Sequence, residues 1–404
     1  MKKCVSALGA VFCAMFLQSA LAGQDKIRIG VLTDLSGPGA DVGKGSVAAA
    51  QIAVEEFGGT VLGRPIEIVI GDTMNKADVS AVTARRWIDV DKVDVLVDLG
   101  TTNTALAVLP VAAEKNKIAI AVAPAGTNIT NEGCTATSIH WMYDTYALAV
   151  GTAKVLLDKG MKDWYFVTVD YTFGAALESD ARRFIEANGG KVQGAVRHPF
   201  NASDMSSFIL QAQNSKSKVI ALANSTADTV NAIKQANEFG VMPKQYVAPL
   251  VMYLSMVHGM GLETAKGLYL TEGFYWDQDQ RTREFADKFK AKTNTRPGSL
   301  PAGTYSAVLA YLNAVKAAKT DDTATVLKEL RSTTIDDAVI RNGRIREDGR
   351  LVHDMYVYQV KEPKESKQPF DYYKLVGTVK AEEAFQPLSQ SRCPLVKKTV
   401  ASGK

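Results

Sequence analysis

The feature that most constrains this chain of 404 residues is its stretch from Ile27 to Asp72. A short apolar run, Ile27–Thr33, leads into a turn rich in glycine, proline and serine, then into a helix of small residues and a second apolar run, Ile66–Asp72. This order predicts a strand–loop–helix–strand unit of an α/β sheet. The loop, which contains Ser36, lies where open α/β sheets bind ligands. It carries no catalytic constellation, so we predict a ligand contact at Ser36 and no chemistry.

Residues 1–22 have the pattern of a signal peptide. Lys2 and Lys3 precede an apolar run, and Ala20-Leu21-Ala22 is a small-x-small cleavage site. A membrane anchor is the alternative, but the run is shorter than the roughly 20 residues that a spanning helix needs. We therefore expect export to the periplasm and a soluble mature chain.

The charge of the mature chain is close to balance. The whole chain has 47 basic and 43 acidic residues, and the leader contains two of the lysines and none of the acids, which leaves an excess of two positive charges. No cluster of Lys and Arg stands out, so we expect neither nucleic acid nor a membrane surface as a partner. The length exceeds that of one ordinary hydrophobic core and predicts two lobes.

Two of the four cysteines, Cys134 and Cys393, remain in the mature chain. In an oxidising compartment, an even pair of cysteines predicts one disulfide. Two buried free thiols are the alternative.

Apolar runs alternate with helical patterns for most of the length, which is typical of parallel βαβ units. They fall into two groups of four around Thr137–Thr145, which lacks a clear period and is expected to cross between lobes. The predicted strands are Ile27–Thr33, Ile66–Asp72, Val95–Leu99, Ile118–Val122, Trp164–Val169, Val192–Arg197, Val219–Ala223 and Tyr246–Ala248, followed by Met355–Val360 and Tyr372–Val379.

This pattern predicts an α/β fold of two Rossmann-like lobes joined by a multi-strand hinge. We expect residues 25–143 and 274–335 in lobe 1, residues 144–273 and 336–385 in lobe 2, and a C-terminal tail over residues 386–404. Predicted helices in the two lobes are Val42–Phe57, Ala77–Asp91, Thr102–Lys115, Ala147–Lys159, Phe173–Ala187, Ser206–Asn214, Thr226–Phe239, Thr304–Lys319 and Asp322–Arg331.

Two loops of lobe 1 predict a carboxylate site. Thr101 and Thr102 follow the third strand and open a helix, where backbone N–H groups and hydroxyls can hold an anion. Ordinary capping of the helix is the alternative. The loop with Ala125, Gly126 and Thr127 follows the next strand, so both loops are expected at one crevice.

Lobe 2 is expected to supply the opposite wall. Tyr171 and Phe173 follow its first strand, and Asn224 follows its third. The two rings are candidates for the wall or for the core. A second aromatic cluster surrounds Tyr275, the ring of that cluster that we expect to reach the cleft.

Catalytic patterns are missing from the sequence. The segment Gly37–Gly43 has the spacing G-x-G-x-x-x-G, one residue longer than a dinucleotide fingerprint, and Pro38 stiffens it. The four histidines have no metal-ligand spacing, and neither a G-x-S-x-G elbow nor a P-loop occurs. We therefore expect no enzyme, no cofactor and no metal. A secreted nicotinamide-dependent oxidoreductase is the alternative from another functional class.

The motifs LTDLSGPGADVGKG, VLGRPIEIVIGD, KQANEFGV, GLYLTEGFYWD, AGTYSAVLAYLNAV and CPLVKK, with the threonine cluster at Thr101, occur together in this chain. With them the chain resembles the periplasmic substrate-binding proteins of branched-chain-amino-acid-type ABC importers. The resemblance implies a type I periplasmic binding fold that closes on its ligand and docks, as a monomer, on a membrane permease. It also implies a disulfide that pins the tail across lobe 1. A sensor that addresses a receptor instead of a permease is a further alternative.

Carried over by position, the resemblance implies that the ligand carboxylate meets Thr101–Thr102 and Ala125–Thr127. Phe173 then stands where family members place a wall aromatic, and Val42 where leucine binders carry tyrosine.

One departure from the family concerns the ligand ammonium, which amino-acid binders hold with an acid just after the strand Tyr246–Ala248. Here the run Pro249–Tyr253, which includes the predicted ligand contact Val251, has no carboxylate. An unpaired buried ammonium costs several kcal/mol. We therefore expect an aromatic or hydrophobic carboxylate, in the subgroup that resembles aromatic and organic-acid binders. An amino acid held by another residue, or an amide or urea-like solute, is the alternative.

Overall fold

The structure is a computed structural model that describes residues 26–396. The predicted signal peptide and the end of the predicted tail lie outside the described residues. Between residues 26 and 396, no helix combines the length and the apolar character needed to cross a membrane.

The strands of the described chain, in order, are β1 (Ile27–Thr33), β2 (Thr60–Val61), β3 (Arg64–Asp72), β4 (Val95–Asp98), β5 (Ile118–Ala121), β6 (Ser138–His140), β7 (Asp163–Val169), β8 (Lys191–His198), β9 (Val219–Ala223), β10 (Tyr246–Pro249), β11 (Tyr269–Glu272), β12 (Arg344–Ile345), β13 (Leu351–Val352), β14 (Met355–Val360) and β15 (Tyr373–Val379). Every predicted strand is confirmed, with ends that differ by at most two residues. The sequence analysis missed the short strands β2, β6, β12 and β13, and it missed β11.

The helices are α1 (Ala40–Phe57), α2 (Ala77–Asp89), α3 (Thr102–Glu114), α4 (Thr145–Asp158), α5 (Thr172–Ala187), α6 (Ser206–Asn214), α7 (Thr226–Glu238), α8 (Leu254–Met260), α9 (Leu262–Ala265), α10 (Gln280–Thr293), α11 (Ser299–Ala318), α12 (Thr323–Ser332) and α13 (Ala381–Ala384). The nine predicted helices are confirmed, and α8, α9, α10 and α13 were not predicted.

The first sheet has the strand order β2-β3-β1-β4-β5-β6, and all its neighbours are parallel except the short β2. The register at its centre sets Ile29 opposite Ile68 on one side and Val95 on the other. Val97 and Ile120 are fully buried. Such continuous apolar strands are expected where helices cover both faces of a parallel sheet.

The second sheet, β10-β9-β7-β8, is also parallel throughout. A third sheet, β11-β14-β15, is antiparallel, and β12 pairs with β13. Mixed α/β architecture with two parallel sheets confirms the predicted fold class.

A glycine at the start of the first helix of each parallel sheet lets that helix approach the strand before it. A Cβ at Gly43 would lie 1.9 Å from the carbonyl oxygen of Asp34, and a Cβ at Gly174 would lie 2.1 Å from that of Val169. No side chain fits at either distance. The two sheets therefore repeat the same strand–turn–helix packing, which holds the start of α1 and of α5 beside the strand ends.

After the second sheet the chain returns to the first. Helices α10 and α11 pack against α1, where Lys288 and Lys292 form ion pairs with Glu56 and Glu55. The hydroxyl of Ser306 on α11 donates to Asp337 at 2.6 Å, so the segment after α12 also contacts these helices. The exact lobe boundaries stay a prediction, and this contact favours placing residues near 337 with the first sheet.

A buried arginine fixes the segment that leaves the first sheet. Arg350 is fully buried, and its guanidinium donates to the carbonyl oxygens of Trp141 and Tyr143 at 2.5 and 2.7 Å. The imidazole of His353 donates to the carbonyl between them, that of Met142, at 2.7 Å. Asp144 lies 3.9 Å from the guanidinium. Three consecutive carbonyls of the crossing segment are thus held by residues from the far end of the chain.

The tail is anchored to the first sheet's side of the molecule. Cys134 and Cys393 form a disulfide across 259 residues, which confirms the predicted pair. The amide of Asn131 donates to the Gln386 side chain at 3.0 Å, and Phe385 lies under the Arg350 guanidinium, 4.5 Å from it. The tail therefore packs on the loop after β5, and Phe385, the residue just before it, covers Arg350.

The third sheet meets α11 through a buried acid. Glu272 ends β11 and is 3% exposed, and its carboxyl accepts a hydrogen bond from the Ser299 hydroxyl at the start of α11. Its other oxygen, Oε1, has no hydrogen-bond partner among the described residues. Burial raises the pKa of Glu272 to about 8, although the Ser299 hydrogen bonds oppose that rise. The carboxyl is therefore mostly protonated at neutral pH.

This raised pKa predicts a pH-dependent stability that the substitution Glu272→Gln removes. From about pH 4.5 to pH 8 the folded chain keeps a proton that the unfolded chain releases, so this group's contribution to the free energy of unfolding falls as pH rises. The fall approaches about 1.4 kcal/mol per pH unit. Urea denaturation from pH 5 to pH 8 should show the advantage of wild type over E272Q shrinking with pH. The exposed Glu383→Gln is the control, and parallel profiles for wild type and E272Q would contradict the account.

Candidate functional site

The carboxyl ends of the two parallel sheets face each other across a cleft. The ends of β1, β4 and β5 supply Thr33, Gly100 and Ala123 to one wall, and loops after β7 and β9 supply Tyr171 and Ser225 to the other. The empty volume of the cleft is about 690 Å³, open solvent included. Clefts between two lobes are common places for small ligands to bind.

Six of the predicted contact residues line this cleft. Val42, Thr101, Thr102 and Ala125 come from the first sheet's side, and Tyr171 and Phe173 from the second. The structure therefore brings together residues that are separated by up to 131 positions in the chain, as the strand-end argument predicts. Their role in binding stays a prediction.

The other six lie outside the cleft lining: Ser36, Gly126, Thr127, Asn224, Val251 and Tyr275.

Among them, the polar groups of Thr127 and Asn224 are engaged with protein partners. The Thr127 hydroxyl donates to the buried carboxylate of Asp180 at 2.9 Å. The Asn224 amide contacts His198 Nε2 at 3.1 Å and accepts from the Thr229 hydroxyl at 2.7 Å. Both polar groups are therefore hydrogen-bonded within the protein.

Tyr275 was expected to reach the cleft, but it lies in the loop after β11 and packs against the third sheet. Its hydroxyl donates to the Phe370 carbonyl at 3.0 Å and accepts from the backbone N–H of Tyr372 at 3.0 Å. Its ring packs against Tyr373 with centroids 4.9 Å apart. These contacts tie the hydroxyl to the strand edge and leave the ring in the core.

Ser36, Gly126 and Val251 lie outside the cleft lining for simpler reasons. Ser36 is exposed at the loop tip. Gly126 lies behind Thr102 and donates its N–H to the Thr102 hydroxyl at 3.0 Å. Val251 is 1% exposed and belongs to the core.

Four helices begin at the cleft. The residues that precede α1, α3, α5 and α7, namely Gly39, Thr101, Tyr171 and Ser225, all line it. The N-terminus of a helix presents unpaired N–H groups and the positive end of the helix dipole. Among the described residues, no Lys or Arg lines the cleft. Backbone N–H groups at the helix starts are therefore the positive groups that the described lining offers, an arrangement that suits an anion.

The start of α3 is the most constrained of these. Asp98, Leu99 and Gly100, which lead into it, have φ angles of 78°, 74° and 67°. For Asp98 and Leu99 this left-handed conformation costs free energy. The N–H of Leu99 donates to the carbonyl of Leu32 at 2.8 Å, and the carbonyl of Asp98 accepts from Val122 at 3.0 Å, so both neighbouring strands hold the turn.

The two threonines that follow this turn, Thr101 and Thr102, form different hydrogen bonds. Thr101 exchanges hydrogen bonds with Thr104 and caps α3. The Thr102 hydroxyl accepts from the Gly126 N–H, which leaves its own proton for another acceptor. The ordinary capping alternative therefore describes Thr101, and Thr102 is the residue with a donor to offer in the cleft.

The acid in the cleft lining, Asp34, is occupied by its own loop. Its carboxylate accepts from the N–H groups of Gly37 and Gly39 at 2.7 and 2.8 Å, and from the Asn75 amide at 2.9 Å. These are the N–H groups that a dinucleotide fingerprint would turn toward a pyrophosphate. The segment Gly37–Gly43 therefore serves as a turn around Asp34. Among residues 26–396, no group of three His, Cys, Asp or Glu is arranged to hold a metal.

Aromatic rings that the sequence analysis missed complete the lining. Phe200 is 43% exposed, and its ring packs edge-on against Tyr171 with centroids 5.4 Å apart. Tyr143 and Tyr253 join their hydroxyls at 2.8 Å, and Tyr143 also donates to the Ala123 carbonyl at 3.1 Å. With Phe173, five rings surround the cleft. Three of these rings were not predicted: Tyr143, Phe200 and Tyr253. Of the three, only Tyr253 had a signal in the sequence, because it follows a predicted strand.

Comparison with known proteins supports this geometry. A family model described as periplasmic binding protein matches residues 26–368. A periplasmic binding protein from Burkholderia mallei is 48% identical, with a TM-score of 0.90 and coverage of 93% of this chain and all of that one. A branched-chain amino acid ABC transporter periplasmic ligand-binding protein from Burkholderia xenovorans LB400 is 40% identical, with a TM-score of 0.84 and coverage of 92% and 100%.

More distant proteins resemble the chain as well. A solute-binding protein of an ABC transporter from Rhodopseudomonas palustris BisB5, in complex with 3,4-dihydroxybenzoic acid, shares the fold at 21% identity and a TM-score of 0.81, with coverage of 89% and 98%. Leu/Ile/Val-binding protein homolog 6 of Brucella suis is 27% identical over 237 residues, 58% of this chain. The chain spans about three fifths of the length of that curated relative, 59%. The family match covers most of the described chain and carries the assignment: the chain belongs to the periplasmic binding protein family, whose members bind solutes.

Proposed function

We propose that this protein is the periplasmic solute-binding component of an ABC importer, and that it captures a small aromatic or hydrophobic carboxylate in the cleft between its lobes. The observation that carries the proposal is the cleft itself, where helix N-termini and aromatic rings occur together with an acid that is already hydrogen-bonded. The likeness to the Rhodopseudomonas palustris protein is one of fold alone, so the choice of ligand rests on the cleft.

The carboxylate is assigned to the start of α3. There the Thr102 hydroxyl has a proton to donate, and the first N–H groups of the helix have no partner within the helix. Hydrogen bonds to an ionised acceptor are stronger than those between neutral groups. The strained turn at Asp98–Gly100 sets these donors in place before the ligand arrives, which lowers the entropic cost of binding.

The body of the ligand is assigned to the rings. Tyr171 and Phe173, with centroids 5.7 Å apart, form one surface, and Phe200 meets the edge of Tyr171 at the rim. Offset and edge-on arrangements of this kind are favourable between aromatic groups. An aromatic ligand gains these contacts as well as the burial of its apolar surface.

An α-ammonium would find no carboxylate free of other hydrogen bonds among the described lining residues of this cleft. The one carboxylate among the described lining residues, that of Asp34, already accepts three hydrogen bonds from Gly37, Gly39 and Asn75. Since desolvating an ammonium without a counter-charge costs several kcal/mol, a zwitterion should bind poorly.

Binding is expected to couple to lobe closure. A ligand that touches both walls favours the closed arrangement by the contacts it makes only there. We propose that the closed monomer then delivers its cargo to a membrane permease, with lobe boundaries close to those predicted from the sequence.

A branched-chain or other amino-acid binder is the second candidate, favoured by the names of the Burkholderia xenovorans and Brucella suis relatives. In that case the ammonium would face the Tyr143 and Tyr253 hydroxyls and the Ala123 carbonyl, all neutral acceptors.

A thermal-shift panel of benzoates, phenylpropanoids, dicarboxylates and amino acids separates the two candidates. A ligand at a thousand times its Kd stabilises the folded state by about 4 kcal/mol, which raises the melting temperature by several degrees. We expect stabilisation by an aromatic acid and none by leucine. A response to leucine without one to any aromatic acid would contradict the proposed ligand class.

The substitutions Thr102→Val and Thr102→Ser test the carboxylate cradle. Valine keeps the shape and removes the hydroxyl, so T102V should weaken binding of the best aromatic acid at least tenfold, as measured by calorimetry. Serine keeps the hydroxyl, so T102S should stay within threefold of wild type, and the melting temperatures of the free variants check their folding. Equal affinity for T102V and T102S would remove Thr102 from the site.

A further inference from the structure

A second cavity adjoins the cleft, and we call it the side groove. Its empty volume is about 1140 Å³, open solvent included. Val42, Tyr253 and Leu300 border both the cleft and the side groove. Because these three residues line both volumes, the cleft and the side groove are neighbours.

The inner part of the side groove is apolar. Phe289, Leu300 and Pro301 are buried there, and all three come from α10 or α11. On the opposite side, the Phe370 ring stacks on the His258 imidazole with centroids 4.2 Å apart. Such a surface suits a flat, unsaturated carbon chain.

The rim of the side groove carries charged side chains. Lys44 and Arg296 line it, together with the acid Asp41. Arg296 is held in place, since its guanidinium lies 4.3 Å from the centre of the Trp276 ring and pairs with Asp287 at 2.5 Å. This rim differs from the cleft, whose described lining has no Lys or Arg.

The compartments together define the shape of the ligand. With a carboxylate at the start of α3 and a ring against Tyr171, the remainder of a longer molecule would extend toward Val42 and Tyr253, which also border the side groove. A group that ends near Lys44 is favoured if it is negative, because the Lys44 ammonium forms no ion pair among the described residues, whereas Arg296 is already paired with Asp287.

We propose that the side groove is the distal half of the ligand site and that it takes the second carboxylate of an elongated aromatic acid. This inference rests on the proposed function, because it assumes that the first carboxylate and the ring occupy the cleft. It adds a second anionic group and a greater length to the ligand class.

Calorimetric titration with benzoate, trans-cinnamate and 4-carboxycinnamate tests the inference on wild type and three variants. Benzoate reports on the cleft alone, and 4-carboxycinnamate differs from trans-cinnamate only by the distal carboxylate. Wild type should bind 4-carboxycinnamate at least tenfold more tightly than trans-cinnamate. Lys44→Gln should reduce that ratio at least threefold.

The exposed Ser255 lines the side groove and not the cleft, so it offers a matched pair of variants. Ser255→Trp fills the groove and should weaken 4-carboxycinnamate at least tenfold while it changes benzoate less than threefold. Ser255→Ala should leave all three ligands within threefold of wild type.

Two results would overturn the inference while leaving the proposed function intact. In the first, benzoate binds and 4-carboxycinnamate binds no more tightly than trans-cinnamate. In the second, S255W weakens benzoate and 4-carboxycinnamate equally, which would make the groove a space that narrows when the lobes close. If none of the three acids binds to wild type, the inference is overturned, and the thermal-shift panel decides whether the proposed ligand class fails with it.

Discussion

The direction of the parallel strands determines where this molecule can hold a ligand. Each strand of a parallel sheet leads into a helix at the same edge, so the helix N-termini collect there. Two such edges face each other here, and α1, α3, α5 and α7 all begin at the cleft. The fold therefore supplies helix N-termini at a cleft whose described lining has no basic side chain, and the side chains are left to set shape and selectivity.

The crossing between the two sheets places a requirement on the backbone of the hinge. The segment that leaves the first sheet must expose backbone carbonyls to a buried region, and buried polar groups need hydrogen bonds. Arg350 and His353 satisfy three of these carbonyls in succession, and the Asp144 carboxylate offsets the buried charge. Removing one member would leave the others buried without partners, so this cluster joins the end of the chain to the lobe crossing as one unit.

The sequence predicted the parallel core well and the surroundings of the site less well. Buried parallel strands such as β4 and β9 are continuous apolar runs, so their positions follow directly from the sequence. The three-residue β6 is too short to show a period. Periodicity also gives little warning of α10, whose face toward the core is narrow among many charged residues.

Individual contact residues show where reasoning from sequence stops. Thr102, Asn224 and Thr127 are all polar residues that follow strands, yet of the three only Thr102 lines the cleft. The Thr127 hydroxyl is hydrogen-bonded to Asp180 instead, and the Asn224 amide to His198. Phe200 was missed because an aromatic residue in a polar loop gives no sign of which way it points. Strand ends locate a binding edge, and side-chain direction, which is a tertiary property, decides which residues reach it.

The central claim is that the cleft accepts a carboxylate and rejects an α-ammonium, and one pair of ligands tests it most directly. 3-Phenylpropanoate and L-phenylalanine have the same ring, chain and carboxylate and differ only by the ammonium. In calorimetric titrations of wild type, the account predicts that 3-phenylpropanoate binds and that phenylalanine binds at least about 100-fold more weakly, because the ammonium loses hydration without gaining a counter-charge. Equal or tighter binding of phenylalanine would contradict it.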